Sequence, residues 1–87
     1  MSDVVIYTRQ YCGYCTAAKR LLDRKGVVYD ERDVTGRPEV RSEMIHRADG
    51  RYTFPQIFIA GRPIGGCDEL HELDYAGKLD QLLAKAT

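Results

Sequence analysis

With 87 residues, the chain has the length of one globular domain with one modest core, and its 44% hydrophobic and 30% charged residues are ordinary for that class. Thirteen basic residues balance thirteen acidic ones, which excludes a strong general attraction to nucleic acid or to an anionic membrane. The apolar run at 4–7 is far too short to span a bilayer, and the N-terminus shows no secretory or transit pattern. We therefore expect a single cytoplasmic domain, 1–87, that uses neither nucleic acid nor membrane.

The first half of the chain predicts a strand–helix–strand unit. The β-branched run Val4–Thr8 is typical of a buried strand, and the apolar face of 16–25 indicates a helix that ends at Gly26. The stretch 27–34 predicts a second strand with partial alternation. Two strands joined by a helix are expected to be parallel, with a right-handed crossover.

The second half predicts a helix, a hairpin and two more helices. Pro38 suits the first turn of a helix, and Gly61 suits a tight turn between two strands. The predicted elements lie at 38–47, 56–60, 62–64, 68–75 and 79–83. The order βαβ-α-ββ-α-α predicts an α/β fold in which helices flank a four-stranded mixed sheet.

The cysteine pattern indicates redox chemistry. An odd number of cysteines, three, argues against a secreted disulfide framework. Cys12 and Cys15 form a Cys-x-x-Cys motif that follows a predicted strand and opens a predicted helix, where free N–H groups and the helix dipole stabilise a thiolate. We therefore predict that Cys12 attacks a disulfide, and that Cys15 or an external thiol resolves the mixed disulfide.

A structural zinc site is the alternative interpretation of these cysteines. A Cys₃His ligand set would come from Cys12, Cys15, Cys67 and His71. Zinc knuckles usually lie on turns, whereas the Cys-x-x-Cys motif is predicted to open a helix, so we expect no metal site. We expect His46 and His71 to be surface residues.

Three motifs occur in order along nearly the whole chain, and together they are far more specific than any one of them. They are Tyr7-Thr8-Arg9 followed by Cys12-Gly13-Tyr14-Cys15, then Thr53-Phe54-Pro55-Gln56-Ile57-Phe58-Ile59, and then Ile64-Gly65-Gly66-Cys67-Asp68-Glu69-Leu70. In these motifs the chain resembles the glutaredoxin family, and its bacterial dithiol type in particular. The resemblance implies a thioredoxin-like fold and an oxidoreductase that uses glutathione to reduce disulfide-containing or glutathionylated proteins.

The resemblance also implies a glutathione site, part of which is the turn at Thr53, Phe54 and Pro55. The family has a cis proline here beside the cysteines, which would leave the backbone of Phe54 free to pair with the cysteinyl part of glutathione as an added strand. The alternative is that Pro55 only begins an edge strand.

The second part of the implied glutathione site is the start of the third helix. The pair Gly65-Gly66 lets the backbone approach closely, and Cys67 and Asp68 open a helix whose N–H groups suit a carboxylate. In the family this region cradles the γ-glutamyl end of glutathione, and the aspartate holds its ammonium group. The alternatives are that Asp68 is only an N-cap, and that Cys67 is a small packing residue or a glutathionylated or regulatory thiol.

Charged and aromatic residues complete the implied site. Arg9 and Arg41 match basic or amide positions of the family, and both would face the glycyl carboxylate of glutathione. Tyr14 would flank the site.

The chain departs from the commonest family motif at Gly13, where proline usually stands. Some relatives with a small residue here bind a 2Fe–2S cluster between two chains, through the first cysteine and glutathione. The alternative function is therefore a dimer that binds a cluster through Cys12. The second cysteine, Cys15, instead favours a monomer that reduces disulfides with two thiols. Redoxins that take electrons directly from a thioredoxin reductase are a further alternative, but they lack the Gly-Gly-Cys-Asp site.

Overall fold

The computed structural model describes residues 3–86, and within them eight helices and strands follow the predicted order βαβ-α-ββ-α-α. They are β1 Val4–Thr8, α1 Gly13–Arg24, β2 Asp30–Asp33, α2 Pro38–Arg47, β3 Gln56–Ile59, β4 Arg62–Gly65, α3 Cys67–Tyr75 and α4 Leu79–Ala86. The predicted α/β class is confirmed. No helix within this part of the chain is long and apolar enough to cross a membrane.

The strands form one mixed sheet in the order β2-β1-β3-β4. β1 and β2 are parallel, as the strand–helix–strand prediction requires, whereas β3 is antiparallel to both of its neighbours. Tyr7, near the end of β1, lies opposite Gln56, the first residue of β3. The loop after β1 and the loop before β3 therefore meet at one end of the sheet, and the functional site lies there.

The hydrophobic core has two parts because side chains alternate between the two faces of a strand. Val4 and Ile6 belong to a larger cluster that packs the sheet against α1, α3 and α4. Tyr7 belongs to a smaller cluster on the other face, where Val40 and Met44 of α2 are buried. Helices thus cover both faces of the sheet, and α2 lies on the face away from α1.

A polar network ties α2 to the sheet. The hydroxyl of the buried Tyr7 donates a hydrogen bond to the carboxylate of Glu43 and accepts one from Nη1 of Arg47 at 2.8 Å. Nη1 of Arg32 donates to the same carboxylate at 2.7 Å. Burial raises the pKa of Tyr7, and the hydrogen bond from Tyr7 lowers the pKa of Glu43.

The two predicted starts that differ most from the structure are those of β2 and α1. β2 spans Asp30–Asp33 rather than 27–34, because Val27 and Tyr29 pack against the larger core from irregular backbone instead of joining the sheet. All four residues of β2 are charged, and pairing with β1 holds this edge strand in place. α1 begins at Gly13 rather than at residue 16, since Cys12 already caps the helix.

Candidate active site

Cys12 is the N-cap residue of α1. Its Sγ accepts a hydrogen bond from the backbone N–H of Cys15 at 3.2 Å, in the place that a serine or aspartate oxygen takes in an ordinary cap. The positive end of the helix dipole and this N–H group both favour a thiolate at Cys12. The side chain is only half-buried, so a disulfide can reach its sulfur.

Cys15 lies one turn deeper, and only 2% of its surface is exposed. Burial, and after it a hydrogen bond with Cys12, raises the pKa of Cys15 to about 12. Both thiols are free, so the structure shows the reduced pair. The arrangement combines an accessible sulfur at the N-terminus of the helix with a buried thiol that keeps its proton at neutral pH.

A groove of about 230 Å³, named here the α3 groove, opens beside Tyr14, the residue between Gly13 and Cys15. It is lined by Tyr14, Arg51, Thr53, Phe54, Gly66, Cys67, Asp68 and Glu69. Five of these, Tyr14, Thr53, Phe54, Cys67 and Asp68, were predicted as site residues from the sequence. The fold brings them together from α1, from the loop before β3 and from the start of α3.

The loop before β3 forms one wall of the α3 groove. The peptide bond between Phe54 and Pro55 is cis, as the resemblance implied. Pro55 does not begin an edge strand, because β3 lies between β1 and β4. The side-chain amide of the buried Gln56 holds the loop by donating to the carbonyl oxygen and to Oγ1 of Thr53, at 3.0 and 3.1 Å. Among the described residues, the backbone of Phe54 makes no hydrogen bond.

The start of α3 forms the opposite wall. The N-cap is Gly66 rather than Asp68. Oε1 of Glu69 accepts a hydrogen bond from the backbone N–H of Gly66 at 2.7 Å. Nη2 of Arg51 lies 3.0 Å from the same oxygen and links this wall to the loop before β3. Within residues 3–86, the exposed carboxylate of Asp68 makes no hydrogen bond or ion pair, and the N–H groups of Cys67 and Asp68 have no acceptor.

The two predicted arginines do not share a site. Arg9 is exposed, its guanidinium carbon lies 5.8 Å from the centroid of the Phe54 ring, and it lines a different groove beside Cys12. Arg41 lines neither of these grooves, because α2 packs on the sheet face away from α1. The prediction that Arg41 faces the ligand with Arg9 therefore stays a prediction.

That second groove, named here the Tyr11 groove, has a volume of about 440 Å³. It is lined by Thr8, Arg9, Gln10, Tyr11, Cys12, Gly13, Cys15, Thr16, Lys19, Glu31 and Asp33. Nζ of Lys19 lies 3.0 Å from Oε2 of Glu31, which also accepts a hydrogen bond from the Thr8 hydroxyl at 2.8 Å. Cys12 is thus reached from a groove of its own, with the α3 groove beside it.

The zinc interpretation finds no ligand cluster. Among residues 3–86, no three or more His, Cys, Asp or Glu side chains are grouped to hold a metal ion. His71 is half-buried rather than at the surface, since its Nδ1 lies 3.4 Å from Sγ of Cys67 and 2.9 Å from the Cys67 carbonyl oxygen. Burial, with the nearby charge of Asp68, raises the pKa of Cys67, so this thiol stays protonated at neutral pH.

Gly13, the first residue of α1, provides a stability prediction. No heavy atom lies within 4 Å of where its Cβ would be, and Cys12 has the extended backbone that a following proline requires. We expect Gly13→Pro to keep the fold and to raise the free energy of unfolding by about 0.4–1 kcal/mol, because proline restricts the unfolded chain. Thermal unfolding by circular dichroism should show a Tm several degrees higher, and a lower Tm would contradict this description of the helix start.

An accessible sulfur and a buried thiol one turn apart at the start of a helix can close to a disulfide as they reduce a disulfide substrate to two thiols, and an external thiol can reduce the pair again. The chain is accordingly a thiol–disulfide oxidoreductase with a thioredoxin-like fold. The glutaredoxin family model matches residues 4–64. The glutaredoxin of Pseudomonas aeruginosa is 52% identical over 84 residues, which cover 97% of this chain and 99% of that protein. The chain belongs to the glutaredoxin family, and its two cysteines fit the dithiol type.

Two further comparisons agree with this assignment. Glutaredoxin 3 of Escherichia coli K12 is 52% identical over 83 residues, which cover 95% of this chain and 99% of that protein. The crystal structure of a buckwheat glutaredoxin–glutathione complex matches with a TM-score of 0.89 at 31% identity, over 98% of this chain and 79% of that chain. The thioredoxin-like fold implied by the sequence is confirmed.

Proposed function

We propose that this glutaredoxin acts in the cytoplasm as a monomer and uses glutathione to reduce protein disulfides and glutathione mixed disulfides. The observation that carries the proposal is the α3 groove, which reaches the Cys-x-x-Cys motif at Tyr14 and has unpaired backbone and carboxylate groups on its walls. The buckwheat relative that was crystallised with glutathione supports the same ligand.

The groups in the α3 groove match the chemistry of glutathione. The two N–H groups without an acceptor at the start of α3 suit the γ-glutamyl carboxylate, and the unpaired carboxylate of Asp68 suits the adjacent ammonium group. The unpaired backbone of Phe54 suits the cysteinyl part, as an added strand would. A tripeptide held at these points has its sulfur directed toward Cys12.

The reaction with a glutathione mixed disulfide takes two exchange steps. The Cys12 thiolate attacks the glutathione sulfur, a new S–S bond forms between them, and the old S–S bond breaks with its electron pair on the leaving sulfur, which takes a proton. A second glutathione, as its thiolate, then attacks the glutathione sulfur that is bound to Cys12. Oxidised glutathione leaves, and the Cys12 thiolate is restored.

Protein disulfides require Cys15 as well. After Cys12 has formed a mixed disulfide with the protein, Cys15 attacks the Cys12 sulfur, which closes the Cys12–Cys15 disulfide and releases the protein as a dithiol. The charge and hydrogen bond of Cys12 help to raise the pKa of Cys15 in the reduced pair, and both are lost once Cys12 is in a disulfide. Cys15 therefore becomes easier to deprotonate at the step that needs its thiolate.

A coupled assay tests the glutathione dependence. The protein is given the mixed disulfide of cysteine and glutathione, with NADPH and either glutathione plus glutathione reductase or thioredoxin reductase alone. We expect NADPH consumption only with glutathione. Equal turnover with thioredoxin reductase and no glutathione would contradict the proposal. It would favour the alternative that the protein takes electrons directly from a thioredoxin reductase.

Asp68 should affect glutathione binding more than thiol chemistry. We expect Asp68→Ala to raise the KM for a glutathionylated substrate about ten- to a hundredfold with little change in kcat, because a charge-assisted hydrogen bond contributes about 1.5–3 kcal/mol. Glu72→Ala, an exposed acidic residue of α3 outside the α3 groove, is the matched control and should leave KM unchanged. An unchanged KM for the Asp68 variant would remove Asp68 from the ligand site.

The 2Fe–2S cluster stays a prediction. Cys12 offers one thiolate per chain at an accessible helix start, and the open space around Gly13 leaves room beside it. Cluster ligation needs a deprotonated Cys12, so the Cys12–Cys15 disulfide competes with it. Anaerobic reconstitution with iron, sulfide and glutathione would give a brown dimer if the cluster forms and a colourless monomer if it does not.

A further inference from the structure

Tyr11 combines two unusual properties directly before the nucleophile. Its side chain is 97% exposed, more than any other large hydrophobic side chain among residues 3–85. Its backbone φ is 58°, in the left-handed region where a bulky residue is a genuine outlier. The ring adds nothing to the protein's own core, and strained backbone of this kind is typical of functional sites. Both observations point to a contact with another molecule.

The surroundings of Tyr11 indicate what kind of molecule fits. In the Tyr11 groove, Lys19 and Glu31 neutralise each other, and Oδ1 of Asp33 accepts a hydrogen bond from the backbone N–H of Thr35 at 2.9 Å. Arg9, also in this groove, donates to the carbonyl oxygen of Gln10 at 3.2 Å and has no carboxylate partner among the described residues. A groove with one such cation and an aromatic side chain on its wall suits a polypeptide, which offers both carbonyl oxygens and apolar side chains. Aromatic side chains are the commonest anchors of such protein contacts.

The exchange reaction requires the polypeptide to lie close to Cys12. A thiolate attacks along the axis of the S–S bond, so the attacking, central and leaving sulfurs lie nearly in line. When glutathione occupies the α3 groove with its sulfur at Cys12, the leaving sulfur and its chain lie beyond that sulfur. Cys12 itself lines the Tyr11 groove, so a chain attached to the reacting sulfurs can extend along it.

We propose that the Tyr11 groove binds the polypeptide that flanks the target cysteine, and that Tyr11 makes the main contact. This inference rests on the proposed glutathione-dependent function and adds the surface that favours protein substrates over small disulfides. It assigns Tyr11 to partner binding and gives it no part in the thiol chemistry.

The test compares two substrates that share the same reacting bond, glutathionylated serum albumin and the mixed disulfide of cysteine and glutathione. We expect Tyr11→Gly to raise the KM for the albumin substrate about five- to thirtyfold, as for truncation of an aromatic interface residue, with kcat unchanged. The value of kcat/KM for the small substrate should stay within about twofold. Glycine adopts positive φ freely, so Tm should not fall, and misfolding cannot explain a loss.

Two matched variants act as controls. Ala60 also has a positive φ, 52°, but lies in the turn between β3 and β4 at the opposite end of the sheet, so Ala60→Gly relieves the same strain away from the site. Tyr75 is 87% exposed at the end of α3, and Tyr75→Ala removes an exposed tyrosine that lines neither groove. Both variants should leave both substrates unaffected.

Two outcomes would overturn the inference. An unchanged KM for albumin would show that Tyr11 does not contact the protein, and an equal loss on both substrates would show that Tyr11 acts on Cys12 instead. The variants are also assayed on insulin disulfides with dithiothreitol as the reductant. If glutathione proves not to be the reductant, the proposed function fails, whereas the Tyr11 comparison on insulin still shows whether this surface binds polypeptide.

Discussion

Cys12→Ser should reduce the turnover of every disulfide substrate to the rate without protein. The other two thiols cannot take over, because burial is the largest cause that raises the pKa of Cys15 and of Cys67, and burial persists without Cys12. Both therefore stay protonated at neutral pH, and the serine hydroxyl is a weak nucleophile without an adjacent base. The glutathione-coupled assay measures the loss directly.

Cys67→Ala is the matched control for this prediction, since it removes a thiol from the α3 groove and leaves the N-cap of α1 intact. We expect this variant to keep most of its activity. Near-normal turnover by the Cys12→Ser protein, or complete loss in the Cys67 variant, would show that the nucleophile has been misassigned.

Cys15→Ser should separate two activities that the unchanged protein combines. Reduction of insulin disulfides should be lost, because no second thiol remains to release the protein from its mixed disulfide with Cys12. Removal of glutathione from glutathionylated substrates should continue, since glutathione itself resolves that intermediate. The ratio of the two rates, measured on the same preparation, is the quantity to compare.

The backbone geometry makes this variant informative. Cys12 accepts its hydrogen bond from the backbone N–H of residue 15, which a serine retains, so the N-cap and its thiolate should persist. If both activities fell together, Cys15 would be needed to position Cys12, and its role as the resolving thiol would be wrong.

The fold was largely predictable because its central elements carry strong local patterns. The β-branched run of β1 and the apolar face of α1 indicated a strand–helix unit, and Gly61 marked the hairpin. β2 was misjudged because Asp30–Asp33 is wholly charged and is placed by pairing with a distant strand. Local periodicity carries no information on such pairing.

In the candidate site, too, local motifs could be predicted and long-range contacts could not. The groups around Cys12, Phe54 and Asp68 are short contiguous motifs, so the sequence could place them. The ion pair between Arg51 and Glu69 could not be found, because its members lie 18 positions apart and meet only in the fold. The glutamate alone had a signal, since an acidic residue at the third helical position often completes a capping box.

The role of Arg41 stays a prediction, because its helix is placed by contacts that the sequence does not reveal. Its place on a charged helix was read correctly, because α2 spans Pro38–Arg47 as predicted. The sequence could not show which face of the sheet that helix covers. The network that holds α2 against β1 joins Tyr7 to Glu43 and Arg47, at separations of 36 and 40 positions, beyond the reach of helical or strand periodicity.

The central claim is that Cys12 accepts the glutathionyl group and that glutathione removes it. The Cys15→Ser protein, incubated with the mixed disulfide of cysteine and glutathione and analysed by mass spectrometry after proteolysis, tests this most directly. We expect one glutathionyl group, located on Cys12, that disappears when excess reduced glutathione is added. A protein that stays unmodified, or carries glutathione only on Cys67, would contradict the account.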